Sequence, residues 1–257
     1  MRILIGLALV PLLLTLGCNK QQTDRSYAGT AKYRYELGME ALDDGNYIEA
    51  IQHFTLVKNK FTYSQYAALA ELRIADAYFD QDKQIEAIDG YRTFVQRRPN
   101  HPDVPYALYR IGLSYYQQIP SGFFLFPPPF EKDQSATKDA LRSFREYVDR
   151  FPQHEKVDEA LGYILECRRL MADYELFVAR FYLGQDRPVS ARGRLETVMH
   201  DFEDVPERWR DGMQLLIETY RALDQDAEAR EAARALIAKA PRSDEADDAR
   251  KMYPNLR

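Results

Sequence analysis

The chain has 257 residues, 46% of them hydrophobic and 29% charged, a balance that suits a soluble protein with a substantial core. Its formal charge of −5 at pH 7 leaves no basic excess to displace counterions from a phosphate backbone, which argues against nucleic acid as a partner. Length alone allows one long domain or two.

The first residues do not belong to the fold. Met1-Arg2 gives a positive start, residues 3–16 form an apolar run broken by Gly6 and Pro11, and Thr15-Leu16-Gly17-Cys18 closes it. That run is too short for a bilayer span and has the form of an export signal. A cysteine directly after the small residues resembles a bacterial lipobox, in which the thiol of Cys18 carries diacylglyceryl and acyl groups and becomes the new N-terminus. Residues 1–17 are then a lipoprotein signal peptide, and the polar residues 18–31 a lipidated flexible tether. Asn19, in place of Asp, resembles the signal for transfer to an outer membrane. Cys167 is the one thiol left, so no intrachain disulfide forms and it reads as a buried small hydrophobe.

From Lys32 the pattern is helical throughout. Leu37-Gly38-x-x-Ala41, Ala50 and Phe54 overlay Ile74-Ala75-x-x-Tyr78, Ala87, Tyr91 and Pro99 at tetratricopeptide spacing. The cause is mechanical: where two helices of a hairpin cross, only Gly or Ala lets the backbones approach, and a large residue fills the groove beneath. A third unit opens with Ile111-Gly112, but its second half, Ala140, Phe144 and Pro152, arrives 16 residues late. Inside that insertion lies FFLFPPPFEKDQ, whose three prolines keep Phe123, Phe124, Phe126 and Phe130 out of any helix. These rings either fold back over the chain's own groove as a lid, the favoured reading, or are offered to a partner. Asp133 or Ser135 is expected to cap the helix that follows. No proline interrupts residues 157–183, so one helix of about 40 Å is expected to join two arrays. Units four and five follow, carried by Ala179, Ala191 and Leu195, then by Leu216, Ala229 and Ala233. The fold expected is all-α: a tetratricopeptide-like α-solenoid of about five hairpins, with repeats 1–3 in residues 32–153 and repeats 4–5 in residues 154–257. Gln185-Asp186-Arg187-Pro188 reads as an unusual turn before the second helix of the fourth unit.

The lipobox, two regular pairs, a third with an inserted loop leading into Asp133-Gln134-Ser135-Ala136-Thr137, and the stretch YELFVARFY at residues 174–182 together resemble the BamD/ComL family of β-barrel assembly lipoproteins. That resemblance implies a periplasmic scaffold, anchored in the outer membrane of a Gram-negative bacterium. It implies binding of unfolded outer-membrane proteins and of the POTRA-containing barrel subunit, with accessory lipoproteins as further partners.

For a client groove the first-helix positions supply Tyr35 and Met39, then Leu72, Asp76 and Phe79, then Tyr106, Tyr109, Leu113 and Tyr116, a wall read as aromatic and apolar, not charged. The alternative is that these rings only pack between repeats. Arg73 and Arg110 lie beside the groove and either meet a client carboxylate or form solvated pairs. Arg194, the position implied by the resemblance, is expected to meet a POTRA carboxylate, with Arg180, Arg187 and Arg192 making its surroundings basic. Four scattered histidines, with no HExxH, P-loop or GxSxG, give neither an enzyme nor a metal site, and no cofactor is expected. The rival reading is another lipidated scaffold, such as a pilus secretin pilotin or a cell-envelope adaptor.

Overall fold

The computed structural model describes residues 27–120 and 128–256. They form five helical hairpins and a terminal helix: α1 (Tyr27–Asp43) with α2 (Tyr47–Lys60), α3 (Gln65–Phe79) with α4 (Gln84–Arg97), α5 (Val104–Gln117) with α6 (Ser135–Arg150), α7 (Val157–Gly184) with α8 (Pro188–Asp201), α9 (Pro206–Ala222) with α10 (Asp226–Lys239), then α11 (Asp244–Met252). The all-α solenoid read from the repeat spacing is the observed architecture. Three second helices stop at Arg97, Arg150 and Lys239, each two residues ahead of a proline. There the residue before the ring is forced out of the helical region.

The crossings are as tight as the small residues demand. A Cβ placed on Gly38 would lie 2.6 Å from the Phe54 ring, and one on Gly112 would lie 2.7 Å from Phe144. In the second hairpin Gly90, which the repeat spacing did not single out, takes the close approach, 2.8 Å from the Ala75 methyl. Beneath these crossings Phe54, Tyr91 and Phe144 are fully buried.

Four hairpins share one turn geometry. Gly45, Asp82, Asp186 and Asp224 all have positive φ, between 55° and 74°. In each, the next residue's N–H reaches back five residues to a carbonyl, as from Asn46 to Ala41 and from Arg187 to Tyr182. This is the left-handed C-terminal cap that satisfies the last helical carbonyls, and Asp tolerates it better than most residues. The Gln185–Pro188 turn is therefore not unusual: it repeats the rule of its neighbours.

One boundary moves. Tyr27 to Ala31 are helical, with Ala31 fully buried and the Tyr27 ring 5.1 Å from Phe61, so these five residues belong to the first hairpin and not to a flexible tether reaching residue 31. After Pro241 the charged tail forms α11, whose buried Ala246 and Ala249 cover the last hairpin together with Tyr253.

α7 is the expected joining helix. Its first half contributes Ala160 and Cys167 to the core of the second and third hairpins, and its second half contributes Leu176 and Ala179 to the core of the last two. Cys167 is free and buried, and burial, helped by Glu166, pushes its thiol pKa up to about 12, so it packs as a small hydrophobe.

Candidate binding site

Asp76, on the inner side of α3, is 3% exposed and organises what surrounds it. A carboxylate taken from water must be paired and hydrogen-bonded to remain charged. Tyr91 from α4 and Tyr106 from α5 donate their hydroxyls to one of its oxygens, at 2.6 and 2.8 Å, while Arg73 holds the other at 2.5 Å. Arg73 also donates to the Tyr35 hydroxyl of α1 at 3.4 Å, so a single carboxylate ties four helices together. Burial works against the Arg73 charge, but Asp76 and Tyr35 hold its pKa above the ordinary value. Burial and then Asp76 push the Tyr91 and Tyr106 hydroxyls upward, so both stay protonated as donors. Arg110 completes the cluster, donating to the Tyr91 oxygen at 2.9 Å with its guanidinium 3.7 Å above the Phe79 ring.

Beside this cluster opens a cavity of about 540 Å³, bounded by Arg73, Tyr106, Tyr109, Arg110 and Leu113 on one side and by the α6–α7 turn on the other. From that turn come His154, Glu155 and Lys156, and from the first turn of α7 comes Glu159. Tyr109 donates to Glu159 at 2.7 Å and Lys156 pairs with the same carboxylate at 2.9 Å. The wall is thus charged as well as aromatic, which corrects the apolar reading: residues next to the periodic positions, and a turn outside the period, bring the charges in.

Placement corrects four groove residues individually. Leu72 is fully buried and Asp76, Phe79 and Tyr109 are nearly so, Asp76 under Tyr91 of α4 and Tyr109 against Phe144 and Tyr147 of α6. They build the wall, and of the four Tyr109 alone borders the cavity. Half-buried Tyr35 and Met39 pack on the first-hairpin core, Tyr35 against Phe54 and Tyr66. Tyr116 lies 4.6 Å from Tyr163 of α7. Missed from sequence were Tyr91, Lys156 and Glu159. A signal for Tyr91 existed: the buried aromatic is Phe54 and Phe144 in the flanking units, and the second unit alone pairs Tyr there with Asp76 where the others have Met39 and Leu113.

Of the insertion, Phe123, Phe124 and Phe126 lie outside the described residues. Phe130 sits in a 3-10 turn, Pro129–Glu131, with its ring 5.9 Å from Phe177 of α7. The described end of the loop therefore reaches the joining helix, within the YELFVARFY stretch. Asp133 accepts the Ser135 N–H at 3.0 Å and the Ser135 hydroxyl at 2.7 Å, tying down the start of α6.

In the second array Arg194 pairs with Glu175 of α7 at 3.1 Å while remaining 40% exposed. Arg192 is engaged by Glu196 and Gln225. Arg180 and Arg187 are exposed, with Phe181 and Val189 beside them in sequence also exposed. Among the described residues no group of His, Cys, Asp and Glu is placed to hold a metal, and no helix is long and apolar enough to cross a membrane. Cys18 lies outside them.

A family model described as outer membrane lipoprotein, YfiO, matches residues 27–253, from the first residue of α1 to the residue after α11. The chain belongs to the YfiO family. Among relatives, a Caulobacter vibrioides protein named outer membrane protein assembly factor BamD is 27% identical over 76% of this chain. That match spans 61% of the Caulobacter protein's own length. A Xylella fastidiosa protein of the same name is 25% identical over 93% of this chain and 82% of its own. Among solved structures, the TPR domain of P58(IPK) aligns over 88% of this chain and 56% of its own, at 14% identity and a TM-score of 0.43. The YfiO match covers both arrays and the joining helix, so the family is defined by the whole solenoid and not by one repeat.

Proposed function

We propose that this chain is a periplasmic scaffold of outer-membrane β-barrel assembly, held to the membrane by acyl groups on Cys18. In this reading it binds unfolded outer-membrane proteins through the first array and a POTRA-containing barrel subunit through the second. The observation that carries the reading is the YfiO match over residues 27–253 together with relatives named as BamD. The geometry supports it with a cavity edged by two arginines whose orientation Asp76 fixes, suited to an extended segment that brings aromatic side chains and a carboxylate. Arg194, held by Glu175 yet open on its other side, suits a carboxylate on the second partner. Accessory lipoproteins are a further class of partner in this reading. The work is recognition, and no bond is made or broken.

A pull-down from detergent-solubilised membranes tests it. Recovery of a POTRA-containing barrel protein, lost with Arg194→Glu and retained with Arg142→Glu on the outer face of α6, is the expected result. Recovery of a secretin in its place would establish the pilotin reading instead.

A further inference from the structure

The end of the first hairpin where the tether joins differs from the rest of this acidic molecule. Residues 27–35 and 50–70 contain no Asp or Glu. The N-terminus of α1 meets the C-terminus of α2 there: the Tyr27 ring packs on Phe61, and the Tyr27 hydroxyl donates to the Lys60 carbonyl at 3.4 Å. Two residues on, Tyr63 is 97% exposed, and Tyr27 is 48% exposed. Lys58 and Lys60 occupy the last turn of α2 and form no ion pair among the described residues. Exposed tyrosines beside unpaired lysines are the combination that settles at a bilayer interface, rings among the headgroups and ammonium groups on lipid phosphates.

We infer that Tyr27, Phe61, Tyr63, Lys58 and Lys60 form a docking surface for anionic lipid headgroups, which lays this end of the solenoid on the membrane. This rests on the anchoring read for Cys18. Eight residues, 19–26, separate Cys18 from Tyr27, nine steps along the chain. At about 3.3–3.6 Å per residue such a tether spans at most roughly 30 Å. The surface is thus kept within reach of the bilayer, and the anchor raises its effective concentration there. A weak patch suffices under those conditions. At the other end of α2, about 20 Å away by helix rise, Ile48 is exposed as well but has Glu49 beside it, so the surface is one-sided.

The test uses the full chain purified from membranes and reconstituted in phosphatidylglycerol-containing vesicles with brominated lipids. A Tyr63→Trp variant is compared with an Ile48→Trp variant, and circular dichroism confirms that both fold. Blue-shifted, quenched emission from position 63 and unquenched emission from position 48 are expected. Adding Lys58→Gln and Lys60→Gln should lower the quenched-to-free ratio about 25-fold, at roughly fivefold per lysine near an anionic surface. The same protein in purely zwitterionic vesicles should lose most of the quenching. Equal quenching at both positions, or none at position 63, overturns the surface. Mass measurement of the N-terminal fragment separates the two readings. An acylated protein with position 63 unquenched keeps the anchor and removes the surface, whereas an unacylated protein that still shows quenching at 63 keeps the surface and removes the anchor.

Discussion

The two arrays solve the same packing problem with different materials. In the first, the charged residues that are buried, Glu71 and Asp76, both sit on α3. Glu71 is held by Arg97 and Arg98 from the end of α4, and Asp76 by Arg73, Tyr91 and Tyr106. The second array fills its core with Ala229, Ala233, Ala246 and Ala249 around Leu195 and Leu236, and its one buried polar side chain among the described residues, Thr219, bonds back to the Leu215 carbonyl. Its ion pairs, such as Arg194–Glu175 and Arg208–Asp173, are on partly exposed surfaces. A buried carboxylate stabilises only if every partner arrives in place, so it constrains geometry across helices more than it adds to stability. Alanine packing makes no such demand and leaves the arginines at the surface.

The strongest attempt to break this comparison is Asp76→Ala. It strands two tyrosine hydroxyls and Arg73 in the interior, and a loss of about 3–5 kcal/mol is expected in urea unfolding. Glu175→Ala, which opens a half-exposed pair, is expected to cost under about 1 kcal/mol. Comparable losses would mean that burial of charge does not distinguish the arrays.

A second pair of changes sharpens the contrast through glycine. Gly112→Ala drives a methyl to 2.7 Å from Phe144 at the tightest crossing of the third hairpin, and overpacking there should cost about 1–3 kcal/mol. Gly193→Ala lies on an open face of α8 with nothing within 4 Å of the new methyl, and a gain of about 0.5–1 kcal/mol is expected from helix propensity. Thermal unfolding of the two variants should move in opposite directions.

What could be read from sequence was what repeats locally. Gly38 with Phe54 and Gly112 with Phe144 follow from the spacing of one hairpin, and the 28-residue α7 follows from an unbroken pattern without proline. The Asp76 cluster was opaque because its members come from four helices and its acid looked like a groove position. Periodicity reports which face a residue takes, but not whether the next repeat will cover that face. The tether boundary failed for a related reason: Tyr27 and Ala31 are held by Phe61 and the first-hairpin core, contacts that no composition rule reveals. At the candidate partner face, Arg194 could be named from the sequence, but its pairing with Glu175 could not, since the two lie on different helices.

The smallest expected effect concerns pH. Asp204, in the turn after α8, receives the Arg168 guanidinium, which also donates to the Asp201 carbonyl. Burial by itself raises the Asp204 pKa, yet the Arg168 bond overrides it and holds the carboxyl below its ordinary value of 3.8. A folded-state pKa below the unfolded one means that the pair's contribution is fully present above the unfolded value and fades as pH falls through the folded one. With the Asp204 side chain 56% exposed, solvent screening limits that contribution to under about 1 kcal/mol. Asp204→Asn should therefore lower the urea midpoint slightly at neutral pH, and the gap from the parent should close in acid as the parent's own carboxyl protonates. A gap that stayed constant into acid would show that the Asp204 side chain acts through shape and not charge.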